Sequence, residues 1–179
     1  MKRKFVITML TTLIVCVSSV TFAAANPFAD VPTNHWAYYD VTELAADGII
    51  DGYADCTFLG NRKTTRYDVA IMVAKLYSKK THNPIGMGAN PFSDVPAEHL
   101  AAEAVVTLAA AGIEEGYGDG TFLGNRNITR GELRTMLNNL FRVTGVDASM
   151  RENKDNANET LTRYELAVTL NKVYKALFD

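Results

Sequence analysis

The sequence predicts an all-α, mainly helical protein, with two full helix-loop-helix repeats and a half repeat around a central three-helix bundle. Two observations carry this. A stretch opening at Asn26 returns 64 residues later without a slip in the offset, which is the mark of a repeat architecture. Three segments also show an apolar stripe at helical spacing, each behind a capping-box pattern. Composition agrees: 47% apolar and 21% charged residues exclude a mainly disordered, collagen-like or disulfide-framework chain. A formal net charge of −2 gives no sign of a nucleic-acid partner.

Residues 1–25 read as a signal peptide. Lys2, Arg3 and Lys4 form a basic start, Phe5 to Val17 an apolar run, and Ala23-Ala24-Ala25 a small-residue end. The run is short of the ~20 residues of a spanning helix, so no membrane span is expected after cleavage. Val15 stands where a lipid-attachment motif at Cys16 needs a small residue. Cleavage after Ala25 would leave 154 residues with 15 basic and 20 acidic side chains, a net of −5. The product would be exported and acidic. It would hold one cysteine, Cys56, and so no internal disulfide.

Repeat 1 covers residues 26–80. Its first helix is expected over about His35 to Ala46, where Ala37, Val41, Leu44 and Ala45 share one face. Gly48 stops it, and Ile49 is placed to fold back on its last turn. Asp51-Gly52-Tyr53-Ala54-Asp55 supplies turn residues. Thr65-Arg66-Tyr67-Asp68 opens the second helix as a capping box, with Asp expected to cap less well than Glu. Residues 81–89, with Asn83, Pro84, Gly86 and Gly88, read as a linker.

Repeat 2 covers residues 90–145 and copies these features. Asn90-Pro91-Phe92 matches Asn26-Pro27-Phe28, and Thr121 to Arg126 matches Thr57 to Arg62 residue for residue. Its turn carries Asp119-Gly120, a strong tight-turn dipeptide. Residues 146–159 form a polar loop. Residues 160–179 hold a partial third repeat, the capped helix alone, beginning Thr162-Arg163-Tyr164-Glu165. Val69, Val73 and Leu76, Leu133, Leu137 and Leu140, and Leu166, Leu170 and Val173 form three equivalent stripes. Equivalent stripes on equivalent helices predict one central bundle, which the half repeat would close.

These motifs run in the order of the S-layer homology (SLH) domain. Phe28-x-Asp30-Val31, His35-Trp36-Ala37, Gly48-Ile49, Gly52-Tyr53-x-Asp55-x-Thr57-Phe58 and Thr65-Arg66 resemble it in repeat 1. Gly116-Tyr117-Gly118-Asp119-Gly120-Thr121-Phe122 and Thr129-Arg130-Gly131-Glu132 do so in repeat 2. The resemblance implies a bacterial cell-wall anchor, a pseudo-threefold body, and glycan binding in grooves between repeats. The Asn-Pro-Phe opening and the Gly-Asn-Arg before Thr-Arg look closest to the SLH domain of outer-membrane porins of diderm Firmicutes. There the module holds peptidoglycan, and here it would stand without a barrel.

The candidate ligand-binding residues follow one by one. Arg66, Arg130 and Arg163 occupy the family's Thr-Arg position. A cation in a first helical turn opposes the helix dipole, and a bidentate hold on a ligand carboxylate would explain it. An ion pair within the fold would explain it equally. Trp36 would stack on sugar or pack in the core, and Leu100 replaces it in repeat 2. Gly52 and Gly116 would admit a ligand close to the backbone or simply serve a turn. Asp55 and Asp119 would accept from sugar hydroxyls or cap the turn, and Asp30 and Asp94 read as turn residues. Cys56 replaces the glycine seen at Gly120. It is expected to be a buried thiol, strained if the site needs positive φ, with an intermolecular disulfide as the alternative. His35 and His99 lack a ligand partner at helical spacing and read as packing or capping residues. No metal, cofactor or catalytic motif is recognised.

The sequence therefore reads as a non-catalytic module of the cell envelope, in the periplasm, wall or cell surface. It would bind peptidoglycan or a linked secondary polymer through inter-repeat grooves. The alternative is a structural adaptor that binds an envelope protein or itself, with degenerate grooves. An enzyme would need a catalytic nucleophile or carboxylate in a cleft, and no segment is left over to supply one. If the half repeat closes the bundle, removing the chain from Asn158 onward abolishes cooperative folding. A thermal melt as sharp and as high as that of the full chain would disprove this closure.

Overall fold

The structure is a computed structural model that describes residues 26–150 and 156–179. The signal-peptide assignment and the middle of the polar loop lie outside these residues. The described chain holds five helices: α1 (Tyr38–Ala46), α2 (Arg66–Thr81), α3 (Ala102–Ala110), α4 (Arg130–Thr144) and α5 (Arg163–Phe178). It has no strand longer than an isolated bridge among the described residues. The all-α class is as expected.

Each helix stops for a local reason. Gly48 and Gly112 take φ of +69° and +68° after α1 and α3. The next amides, Ile49 and Ile113, then reach back to Leu44 O and Leu108 O at 2.9 Å. Both isoleucines end up buried. The start of α1 differs from expectation. His35 N closes a turn on Pro32 O, and His35 Nδ1 accepts from Ala37 N at 3.2 Å. His35-Trp36-Ala37 is thus a turn, and the helix opens at Tyr38. Helix α2 runs further than expected, to Thr81, so the linker begins only at His82, in the left-handed region. The linker is also tied down, since Gly86 N donates to Thr107 Oγ1 of α3 at 2.8 Å.

All nine stripe residues of α2, α4 and α5 are buried in a single core. Helix α2 is its hub and packs against α3, α4 and α5, while α1 lies on α5. The first helix of repeat 2 therefore leans on the capped helix of repeat 1. The first helix of repeat 1 leans on that of the half repeat.

The N-termini of the three capped helices form a closed hydrogen-bonded circuit. A helix leaves its first amides without internal partners. Arg66 N and Tyr67 N donate to Arg126 O and Gly124 O, in the loop of repeat 2. Arg130 N and Gly131 N donate to Glu159 O and Ala157 O, ahead of α5. Arg163 N and Tyr164 N donate to Arg62 O and Gly60 O, in the loop of repeat 1. The bridges Lys63–Thr162, Thr65–Asn127 and Thr129–Thr160 follow the same cycle. The capping boxes satisfy the next amides in all three helices. The Asp68 box is as complete as the Glu132 and Glu165 boxes, contrary to the weaker cap expected of Asp.

The longer acids do more than cap. Glu132 caps with Oε2 while Oε1 accepts from Tyr117 and Arg126 and lies 3.9 Å from Arg66. Glu165 caps with Oε2 and gives Oε1 to Arg130. Burial pushes both carboxyls up. Tyr117, the Thr129 amide, Arg66 and Arg126 outweigh it at Glu132, and Thr162 and Arg130 outweigh it at Glu165. Both are held below the ordinary carboxylate range. A lowered folded-state pKa contributes stability that is present above the unfolded pKa and lost as pH falls through the folded one.

Two outcomes follow. A Cβ at Gly124 would sit 2.1 Å from the Tyr67 ring, and one at Gly60 would sit 2.2 Å from the Tyr164 ring. Gly124→Ala is expected to cost about 1–3 kcal/mol by overpacking, measured by chemical denaturation. Glu165→Gln should lower Tm at neutral pH and flatten the loss of Tm on acidification, measured by thermal melts across the acid range.

Candidate functional site

Each Gly-Tyr loop packs over an arginine from another part of the chain, Arg66 under Tyr117 and Arg163 under Tyr53. In repeat 1, Tyr53 N donates to Thr57 O at 2.8 Å and Cys56 N to Tyr53 O at 3.0 Å. In repeat 2, Tyr117 N and Gly120 N do the same at 2.8 and 3.0 Å. The last loop residue has positive φ in both, +60° at Cys56 and +79° at Gly120. This is a tight turn closed by a bulge, which favours glycine. Asp55 and Asp119 each bind the amide and hydroxyl of the threonine two residues on. These bonds hold both carboxyls below the usual range.

Gly52 and Gly116 sit where the loop passes an aromatic ring. A Cβ would fall 2.4 Å from the Phe28 ring or 2.3 Å from the Phe92 ring, and 2.6 Å from a loop carbonyl. Asp30 and Asp94 do more than make a local turn. Asp30 accepts from Phe58 N and Leu59 N, 28 and 29 residues away, at 2.6 and 2.8 Å. Asp94 does the same for Phe122 and Leu123. The carboxylate thus holds Leu59 and Leu123 at φ of +52° and +53°, a conformation unfavourable for leucine.

Arg66 lies between α2 and the repeat 2 loop and is only 2% exposed. Nε donates to Phe122 O at 2.8 Å and Nη2 to Glu114 Oε1 at 3.0 Å. The guanidinium covers the rings of Phe122 and Tyr117, 4.7 and 5.0 Å from their centroids. Glu114 Oε1 also accepts from Gly116 N at 2.7 Å. Arg66, Glu114, Tyr117, Glu132 and Thr135 border a groove of about 150 Å³.

Arg163 occupies the equivalent place against the repeat 1 loop and is 4% exposed. Nε donates to Phe58 O at 2.9 Å and Nη2 to Asp51 O at 2.8 Å. Its guanidinium lies 4.6 Å from the Phe58 centroid and 5.3 Å from that of Tyr53. Arg130 is different. It pairs with Glu165, lies 3.6 Å from Glu159, and faces no Gly-Tyr loop.

The structure thus brings Arg66 together with Gly116, and Arg163 with Gly52, but leaves Arg130 apart. Trp36 is 62% exposed and Leu100 82%. Trp36 lies beside the His35 ring, whose centroid is 4.0 Å from that of Tyr164. Cys56 is exposed rather than buried, because its backbone sits at the tip of the turn. Sequence reasoning missed Glu114, Tyr53, Tyr117, Arg62 and Arg126 as groove residues. Glu114 carried a signal: it stands in repeat 2 where repeat 1 has Ile50.

Comparison with known proteins bears on the family. The S-layer homology domain profile matches residues 27–70 and 91–133. The chain is 40% identical over 111 residues to outer membrane protein SlpA of Thermus thermophilus, covering 60% of this chain and 12% of that protein. It is 38% identical over 95 residues to cell surface glycoprotein 1 of Acetivibrio thermocellus, covering 52% and 4%. The cellulosome-anchoring protein of the same organism is 28% identical over 111 residues, covering 62% and 25%. The chain therefore spans a small part of the length of these relatives. Residues 27–70 and 91–133, one stretch in each helix-loop-helix repeat, therefore belong to the S-layer homology domain family.

Proposed function

We propose that this protein is a non-catalytic cell-envelope module that binds peptidoglycan or a peptidoglycan-linked polymer in its inter-repeat grooves. The observation that carries the reading is the pair of like-built junctions between repeats, one of which borders a groove. Each has a buried arginine, a glycine and an aromatic ring meeting at one edge. Rings and backbone amides suit sugars, and arginine suits anionic substituents. The names of the relatives, an outer membrane protein, a cell surface glycoprotein and a cellulosome-anchoring protein, favour a place in the envelope and an anchoring role. No described helix is long and apolar enough to cross a membrane.

The binding residues divide by exposure. Trp36 offers an open face for sugar stacking. Arg66 and Arg163 act from inside the grooves, with Gly52 and Gly116 beside them. Arg130 stands at the N-terminus of α4 as a second-rank contact, and Asp55 and Asp119 shape the loop rims. The exposed apolar side chains Trp36, Tyr39, Leu100 and Met87 favour the second reading, an adaptor that also meets an envelope protein.

Sedimentation with native sacculi, and then with sacculi stripped of secondary polymer, tests the first reading. The protein should pellet with native sacculi, and failure to pellet would overturn it. Because Trp36 is exposed, Trp36→Ala should fold normally and weaken pelleting by about tenfold, the effect of roughly 1.4 kcal/mol.

A further inference from the structure

The first helices of the two repeats are held in different ways. Within α3, Ala102, Ala104, Val105, Val106, Thr107 and Leu108 are buried, and within α1 only Val41, Thr42 and Leu44. The repeat offset of 64 pairs Asp40 with Ala104, Glu43 with Thr107 and Asp47 with Ala111. Repeat 1 thus has three acids where repeat 2 has small, uncharged residues. Each acid is answered from another helix. Asn171 of α5 is 1% exposed, and its Nδ2 donates to Asp40 Oδ1 and Glu43 Oε2, both at 2.8 Å. Lys175 Nζ lies 3.2 Å from Glu43 Oε2. Lys79 of α2 donates to Asp47 at 2.6 Å, and Lys75 donates to Asp51 beyond the helix. Lys79, helped by Tyr174, outweighs burial at Asp47 and holds its carboxyl below the ordinary range.

Around α3 the counterparts are uncharged or bind backbone. At an offset of 97, Asn171 and Lys175 of α5 correspond to Ala74 and Ser78 of α2, on which α3 lies. Lys75 and Lys79 correspond to Asn139 and Val143 of α4. Asn139 donates to Ile113 O at 3.1 Å and Arg142 to Gly112 O at 2.9 Å. Helix α4 therefore grips the end of α3 by carbonyls, which do not titrate. The histidines ahead of the two helices are alike. His35 and His99 accept from Ala37 N and Ala101 N, and their rings lie 4.0 Å from those of Tyr164 and Tyr67. Their titration acts on both helices in the same way.

We propose that α1 is a charge-held latch at the junction of repeat 1 with the half repeat, opened by acid or by high ionic strength while α3 stays docked. Acid neutralises Asp40 and Glu43 and removes the charge from their bonds to Asn171. It also releases Asp47 from Lys79. A lowered folded-state pKa contributes stability present above the unfolded pKa and lost as pH falls through the folded one, so Asp47 holds the latch at neutral pH and lets go in acid. Salt screens the Lys75, Lys79 and Lys175 pairs. Each surface pair is worth little alone, but α1 has little buried apolar surface to fall back on. Opening also wets the Asn171 carbonyl, which has no partner among the described residues. Trp36 stands two residues ahead of α1, with its ring 6.0 Å from that of Tyr164, and leaves that place when the latch opens. Resting on the wall-binding reading, the latch then gates the Trp36 contact.

Amide hydrogen exchange on the full chain tests the latch, with protection factors corrected for the intrinsic effect of pH. The amides of Val41 to Leu44 report on α1, and those of Val105 to Leu108 on α3. Raising NaCl from low salt to about 1 M, where the screening length is about 3 Å, should lower α1 protection roughly tenfold and leave α3 within about twofold. Acid should act in the same direction and with the same selectivity. Asp40→Ala, Glu43→Thr, Asp47→Ala, Asn171→Ala and Lys175→Ser together give this junction the residues of the α3 junction. That variant should lose the selective response. Asp47→Asn, at a partly exposed site, is the milder variant and should lose part of it if the fivefold variant does not fold. The proposal is overturned if α1 and α3 of the wild type lose protection together at every salt and pH. It is also overturned if the folded variant keeps the full wild-type response. Pelleting with sacculi is measured across the same salt series. Selective loss of α1 protection with unchanged pelleting keeps the latch and removes its gating of Trp36. Failure to pellet under any condition overturns the wall reading and leaves the latch standing.

Discussion

Three helix N-termini meet in this protein, and none can satisfy its own first amides. That requirement organises the rest. Each terminus takes two carbonyls from the segment ahead of another capped helix, in a cycle that returns to its start. An unpartnered amide buried from water is costly, so no capped helix reaches its native environment without the loop of another repeat. The half repeat is needed for the same reason. The loop end just ahead of it supplies Glu159 O and Ala157 O to α4, and its own helix takes Arg62 O and Gly60 O.

The cycle also makes the grooves. Sealing a helix against the neighbouring loop brings its first-turn arginine under that loop's tyrosine and phenylalanine. The arginines are thereby removed from solvent and bonded to loop carbonyls. They serve as walls and struts as well as charges. The same contact explains the Gly-Asn-Arg glycines, whose missing Cβ leaves room for Tyr67 and Tyr164. Groove chemistry then depends on single acids. Glu132 and Glu165 are long enough to cap their own helix and reach a neighbouring arginine, and Asp68 reaches only the cap. Glu114 accepts from Arg66 and from the Gly116 amide, and repeat 1 has Ile50 at the equivalent position.

The sequence alone makes legible the helical class, the repeat, the capped helices and the nine core positions of their stripes. These are local properties: an amphipathic period and a capping box need only a few neighbouring residues to act. It also pointed to Arg66, Arg163, Gly52 and Gly116 as residues worth placing. Which of them meet, and with what, depends on how the repeats pack. Arg66 and Arg130 share a motif, yet one lies under a Gly-Tyr loop and the other does not, because the half repeat has no such loop to offer. The reach of Asp30 to Phe58, the start of α1 at Tyr38 and the exposure of Cys56 likewise follow from contacts or backbone geometry distant from any local period. The charge balance of each groove is set by side chains from different repeats, and their meeting is fixed only when the cycle of helix ends closes.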